Sequence, residues 1–551
     1  MNILVRSIRH RATIPTILFA GLVCLLVLSL NRSDKPPRLE SIAPEIGSPG
    51  GVMVLRGRYF GRDKRSSSVI IAGKRPTTSS YLEWGDTQIS VQIPADVGSG
   101  MVNVTTRLGI SGGILFTNAN RIPVVLSETT NPGEPHIEKL APKTGVIGTP
   151  VTLTGLNFGL SRGGSRVLFA PLAVAGEISA EDDSTEYVPA SEIDSDYESW
   201  TDQSIRVRVP DGATSGNIRV ETDRGISNSV YFEIAGLPGT KVLSQKRGYQ
   251  ILFSIEISNV RAEPNALLDI WVPGVLSAPE QRNIEHVKIP EPLWTDYFGL
   301  SRYQFQNIQS GLLYRINQTY WLDRYAIETN ISAGKVARAY DTERKLYKSF
   351  TVPTPLMPSD DESISSAAWS AIGRERSPFL RARAIYLFLI KKLVYDEKPK
   401  GEAILENFIA ASADSYGYSL LFCTMVRAIG IPARPVAGFI IYGDRKAKIH
   451  YWAEFYIEGF GWVPVDPTLG DSPDIGAYPN IEDPAEYFFG GLGTQHLAFT
   501  KGVIDVKPLS SDSKIVQHKK TYSLQTIHEE GSSGLRSYSS EWGDLQVIDL
   551  W

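Results

Sequence analysis

Residues 411–468 read ASADSYGYSLLFCTMVRAIGIPAR…GF…HYWAEFYIEGFGWVPVDPT, and this stretch decides the fold of the C-terminal half. The apolar run that follows Ser415 reads as a helix that starts near that residue and stops at Gly430, ahead of Ile431-Pro432. HYWAEFYI and GWVPVDPT read as two strands joined by a tight turn at Glu458-Gly459. Folding that hairpin about its turn sets His450 and Asp466 nearly opposite each other on neighbouring strands. A carboxylate so placed can hold an imidazole in one tautomer and stabilise its charged form. The two-residue repeat of a strand puts His450, Trp452 and Glu454 on one face, which is expected to form a binding cleft. Cys423 lies eight residues beyond Ser415, about 12 Å along the helix axis. In the run LLFCTMV it reads as a buried core thiol.

The same residues resemble the catalytic core of the transglutaminase-like superfamily, papain-fold enzymes with a Cys-His-Asp triad. In that pattern a glycine-rich stretch ending in Asp-Cys opens a helix that runs into Arg-Ala-x-Gly-Ile-Pro-Ala-Arg. Counting back from Arg427 places the nucleophile at Ser415 and the two preceding glycines at Ala411 and Ala413, while His450 and Asp466 keep their triad positions. The resemblance implies a thiolate that attacks a carboxamide, releases ammonia and leaves a thioester for an amine or water to resolve. A helix N-terminus favours such an anion. A serine hydroxyl is far less acidic, so a site tuned to cysteine ionises it poorly. Serine is also a good helix N-cap, which gives Ser415 a purely structural reading beside the catalytic one. Three departures clustered at the nucleophile lead us to expect a degenerate site that binds a protein, peptide or cell-envelope ligand. The alternative is an acyl-transfer enzyme (amidase, peptidase or transamidase) using Ser415, His450 and Asp466. A third reading is a structural or adhesive protein built on its β-domains. No cofactor or metal is expected.

Composition sets the wider frame. A chain of 551 residues is too long for one core. A net charge of −4 without a basic block gives no footing for nucleic acid. Arg6, Arg9 and Arg11 precede an uncharged stretch, Ile14 to Leu30. Seventeen such residues are just long enough to span a bilayer as a helix. No Ala-x-Ala site follows, so we expect an uncleaved signal anchor over 14–30, with residues 1–13 as a cytoplasmic tail and the bulk of the chain extracytoplasmic. A cleaved signal peptide is the rival reading.

Behind that segment lies a repeat. PRLESIAPEIGSPGGVMVLRGRYFG from Pro37 aligns with PHIEKLAPKTGVIGTPVTLTGLNFG from Pro135 at an offset of 98. Trp84, Asp86 and Pro94 then map to Trp200, Asp202 and Pro210 at an offset of 116. The pattern resembles the IPT/TIG immunoglobulin-like module, which implies two β-sandwiches over 37–126 and 135–235, their glycines suiting turns of positive φ. The second copy carries an acidic insertion, 176–198, with nine carboxylates and no basic residue. It is expected to be a solvated loop, and Asp194-Ser195-Asp196 lacks the ligand spacing of a calcium loop. Alternation in GYQILFSIEISNV predicts a further β-sandwich over 239–355, with Trp271 in its core. It resembles the sandwich that precedes the catalytic domain in bacterial transglutaminase-like proteins. The papain-like α+β domain is expected over 358–505. Within it, His496 in YFFGGLGTQHLAFTKG reads as structural. Residues 506–551 are polar and Ser-rich, either a loose tail or a strand donated to a neighbour.

Overall fold

The structure is a computed structural model. It describes residues 35–551 apart from 65–66, 96, 120–132, 175–186, 297, 400–402, 444, 472–475, 505, 512 and 519–526. The expected tail and anchor, 1–30, lie outside the described residues. Among those described, no helix is long and apolar enough to cross a membrane. The chain divides into two compact units, Met1–Thr129 and Thr130–Trp551.

The described residues of the first unit form one β-sandwich. One sheet orders Arg38–Ala43, Val52–Arg58, Gln88–Gln92 and Tyr81–Trp84, and the other Ile46–Gly47, Ile114–Asn118, Gly100–Thr106 and Ser68–Ile71. The repeat residues explain themselves as pins. Trp84 donates its indole N–H to the carbonyls of Phe60 and Gly61, and Asp86 accepts from the Gly61 N–H at 3.0 Å. In the second copy Trp200 donates to the Phe158 carbonyl and Asp202 accepts from the Gly159 N–H, again at 3.0 Å. Gly61 and Gly159 do have positive φ, as expected of turn glycines. Gly57 and Gly155 serve a different purpose. A Cβ there would fall 2.1 Å from the Arg38 carbonyl oxygen and 1.9 Å from that of His136, so these glycines permit two backbones to touch.

The second unit contains the second sandwich of the repeat, a larger β-sandwich and the α+β domain. The larger sandwich is framed by two long antiparallel strands, β1 (Gly239–Ala262) and β2 (Tyr314–Ile331). Tyr249, Ile251, Phe253, Ile255 and Ile257 alternate into its core, as the sequence pattern requires. Trp271 is buried too, but not in that core: Leu268, Ile270 and Val272 of its strand point there, and Trp271 packs with Leu300 and Ile504 on the other side, edge-on to His528.

The α+β domain begins with α1 (Glu362–Ile372) and α2 (Pro378–Lys392), the latter opened by Ser377 as N-cap and proline in the first turn. Then come α3 (Ile404–Ala410) and α4 (Ser415–Ala428). They are followed by an antiparallel sheet of β3 (Ala433–Tyr442), β4 (Lys446–Ile457), β5 (Gly461–Val465) and, after the short helix α5 (Pro467–Asp471), β6 (His496–Lys501). Spatial order is β5-β4-β3-β6. One face of this sheet carries Ala453, Phe455, Ile457, Val463 and Val465 into a shared core with α4. The other face meets the sandwich: Val436, Ile440, Trp452 and Ala498 pack with Leu243, Tyr325 and Ile327. A sheet buried on both faces leaves little surface for a cleft.

The described residues of 506–551 do not form a loose tail. β7 (Ile527–Gly531) pairs with Leu267–Pro273, and β8 (Leu535–Trp542) and β9 (Gln546–Leu550) pair with β1. They complete the sandwich begun some 280 residues earlier. Glu529 on β7 accepts from the Tyr538 hydroxyl and the Trp542 indole, contacts that local composition does not announce.

Candidate active site

Helix α4 begins where the sequence pattern places the nucleophile, but Asp414 rather than Ser415 is its N-cap. The Asp414 side chain accepts from the Gly417 N–H at 2.9 Å. Ser415 is therefore the first helical residue, free of the capping role that would have explained it structurally. It is 8% exposed. Ala411 occupies a left-handed conformation, φ 53° and ψ 36°, at the C-cap of α3, the kind of position that favours the glycine of the family pattern. Ala413 is fully buried. A Cβ on Gly417 would fall 2.8 Å from its methyl, so that methyl fits because residue 417 has none.

His450 and Asp466 meet as the hairpin reading requires. The turn has Gly459 at φ 76°, the register runs from Ile457↔Gly461 to Ala453↔Val465, and Asp466 follows directly. His450 Nε2 lies 2.6 Å from Asp466 Oδ2. Asp466 Oδ1 accepts from the N–H groups of Thr468 and Leu469, both at 3.0 Å, at the start of α5. Burial alone would raise the Asp466 carboxyl's pKa. The two imidazoles bonded to it override that and hold it well below the usual carboxylate range.

The second imidazole is His496. Its Nε2 lies 3.0 Å from the same Oδ2, its Nδ1 lies 2.7 Å from the Tyr478 hydroxyl, and it is fully buried. Sequence reasoning singled out His496 without placing it. The signal is absent locally, because β6 reaches Asp466 only across the sheet. Burial lowers the His496 pKa to about 4, so the ring is neutral at neutral pH. These three side chains are also the candidate metal ligands among the described residues. A tetrahedral ion with bonds of about 2.0–2.2 Å needs its ligand atoms roughly 3.3 Å apart. The 2.6 and 3.0 Å separations are those of hydrogen bonds.

No hydrogen bond joins Ser415 to His450 among the described residues. The rings of Tyr416 and Tyr451, each next in sequence to one of these two residues, meet edge to face at 5.0 Å. Cys423 is fully buried in the helix core, and burial pushes its thiol up to about 12, which leaves it inert as a nucleophile.

Trp452 and Glu454 do not form an open face. Trp452 is 2% exposed, stacked with His450 and edge-on to His496. Glu454 is bound by Arg434 at 2.8 Å and Lys501 at 2.7 Å. Arg434 in turn reaches Asp194 at 2.5 Å, and Asp194 also accepts from the Trp462 indole. The described part of the acidic insertion is thus no solvated loop. Asp194 and Asp196 are buried, the latter 3.6 Å from Arg344. The reason is tertiary: acidic residues that lack basic neighbours in sequence find Arg344, ahead of the α+β domain, and Arg434 on its β3. A cavity of about 370 Å³ opens beside this network, with Tyr187, Tyr197, Arg282, Arg434 and Lys501 in its wall. Ser415, His450 and Asp466 do not line it.

Comparison with known proteins agrees with this architecture. The family model described as the transglutaminase-like superfamily matches residues 366–467, and that of the IPT/TIG domain matches 37–118 and 135–234. The chain carries a transglutaminase-like core domain and two IPT/TIG domains. It is 26% identical over 160 residues to an uncharacterized protein of Haemophilus influenzae, an alignment covering 23% of this chain and 43% of that one. It is also 28% identical over 95 residues to the cyclomaltodextrin glucanotransferase of Paenibacillus macerans, covering 17% and 13%. The chain thus spans less than half the length of either. Among solved structures it is similar to the periplasmic domain of TgpA from Pseudomonas aeruginosa, at 14% identity and a TM-score of 0.24, over 42% of this chain and 92% of that one.

Proposed function

We propose that this chain is a membrane-anchored, extracytoplasmic transglutaminase-like protein whose core domain is catalytically degenerate. On this reading it binds a protein, peptide or cell-envelope ligand, with the IPT/TIG domains as spacers or adhesive surfaces. The observation that carries it is Ser415: a hydroxyl stands where the family pattern has a thiol, and it makes no hydrogen bond to the His450 that would activate it. The anchor and compartment rest on Arg6, Arg9 and Arg11 ahead of the apolar stretch Ile14–Leu30. The burial of Trp452 and Glu454 moves them from ligand contact to support of the site.

A second reading, acyl transfer by Ser415, His450 and Asp466, is favoured by one specific feature. The His450–Asp466 hydrogen bond is intact at 2.6 Å, an arrangement with no evident use once a nucleophile is lost.

The two readings separate in one experiment. The natural protein, Ser415→Ala and Ser415→Cys are assayed for ammonia release, amine incorporation and hydrolysis on glutamine-containing peptides. Degeneracy predicts no turnover by the natural protein. Natural turnover that vanishes in Ser415→Ala would overturn it, whereas turnover only in Ser415→Cys would show an intact site lacking its thiol.

A further inference from the structure

Asp466 Oδ2 is shared by two histidines, and only one of them belongs to the family triad. The donors can be assigned. An ionised Asp466 only accepts, so His450 and His496 each present an Nε2–H to it. A neutral His496 then has a lone pair on Nδ1, and the Tyr478 hydroxyl 2.7 Å away donates to it. Burial keeps that phenol well above the ordinary tyrosine range, so it stays a donor. The direction of every hydrogen bond is thereby set. Tyr478 donates to His496, His496 and His450 donate to Oδ2, and the Thr468 and Leu469 N–H groups donate to Oδ1. With Nε2–H committed to Asp466, Nδ1 is the His450 nitrogen that Asp466 does not engage. The carboxylate has four donors and no freedom to rotate.

We infer that His496 is a positioning residue of this site: held by Tyr478, it donates to the oxygen that receives His450 and fixes the orientation of Asp466, and so the tautomer of His450. Its second effect is electronic. An N–H donated to Oδ2 draws charge from the oxygen, so His496 weakens the bond that His450 makes to it. The other ionisable groups around the cluster are few. Arg324 on β2 donates to the His496 carbonyl rather than to a ring, at 2.6 Å, Tyr386 on α2 lies near Asp466, and Tyr249 on β1 and Tyr487 lie near Tyr478. This role belongs to the same site as the function proposed above. It is read without substrate, so its failure is separate from any failure of the turnover assays.

The test is the NMR signature of the imidazole N–H protons in the full chain, with His450 assigned by substitution. In the natural protein, two slowly exchanging low-field N–H signals are expected, both on Nε2. His496→Leu removes a donor from Oδ2, so the His450 signal should move further downfield as that bond strengthens. His496→Gln can still donate an N–H from the corresponding position and should return the signal toward its natural place. Tyr478→Phe, which keeps the ring but withdraws the hydroxyl from Nδ1, leaves the Nε2–H on Asp466 and makes it a weaker donor, so the His496 signal should move upfield and the His450 signal downfield. This variant decides the matter if His496→Leu does not fold. A His450 signal unmoved in a folded His496→Leu protein would overturn the assignment. Equal movement in the Leu and Gln variants would do the same, because that is what loss of packing alone produces. A His450 carrying its proton on Nδ1 in the natural protein would also refute it.

Discussion

Replacing Glu454 by glutamine keeps the shape of the side chain and removes its charge, and the structure sets what that should cost. Burial favours the neutral acid, but Lys501 at 2.7 Å and Arg434 at 2.8 Å overcome it and lower the carboxyl to about 2, against 4.5 for an unperturbed glutamate. That difference corresponds to about 3 kcal/mol of stabilisation of the charged form. The partners do not suffer equally. Arg434 retains Asp194 at 2.5 Å, whereas the next carboxylate to Lys501 is Glu280 at 3.9 Å. An ammonium left buried without a close anion is a large destabilisation. A glutamate lowered in the folded state contributes its full stability above pH 4.5 and loses it as pH falls through about 2. Glu454→Gln should therefore cost about 3 kcal/mol at pH 7, and the gap should close as the pH approaches 2. Because several domains are present, a single unfolding midpoint is the wrong readout. Hydrogen exchange resolved to peptides of β3 and β4 reports the sheet directly, and amides there should exchange more than about 100-fold faster at pH 7. An increase under about tenfold at pH 7, or a difference that persists undiminished in acid, would refute the reasoning.

Ala411→Gly should stabilise the chain by about 0.5–1 kcal/mol, since glycine relieves the left-handed strain but loses more entropy on folding. A loss of stability in urea unfolding followed on α3 peptides would count against this. Gly155→Ala should cost the second IPT/TIG domain at least about 3 kcal/mol, because its Cβ would overlap the His136 carbonyl and the Phe158 ring. Gly50→Ala, with open space around it, should cost only the strain of its positive φ, and similar losses for both in proteolysis of each domain would contradict the contact argument. Cys423 should resist alkylation in the native protein at pH 8 and react at once in denaturant. Native labelling at the rate of a free thiol would contradict its burial.

What the sequence determined by itself was whatever depends on near neighbours in the chain. The helix after Ser415, the hairpin that joins His450 to Asp466, the strand alternation from Ile251 to Ile257 and the repeated glycines with their Trp84/Trp200 and Asp86/Asp202 partners all follow from spacing. Periodicity and turn chemistry act over a few residues and leave their mark there. Which faces meet was settled by packing between distant segments. Trp452 and Glu454 share a strand face with His450 as expected, but β1 and β2 of the preceding sandwich cover it. Asp194 sits in an acidic stretch that reads as solvated until Arg434, 240 residues later, takes it up. His496 reaches Asp466, and β8 reaches β1, because strands far apart in the chain join one sheet. In each case the stabilising partner is remote in the chain, so burial and charge compensation, which choose among folded alternatives, write nothing into the local pattern that spacing could reveal.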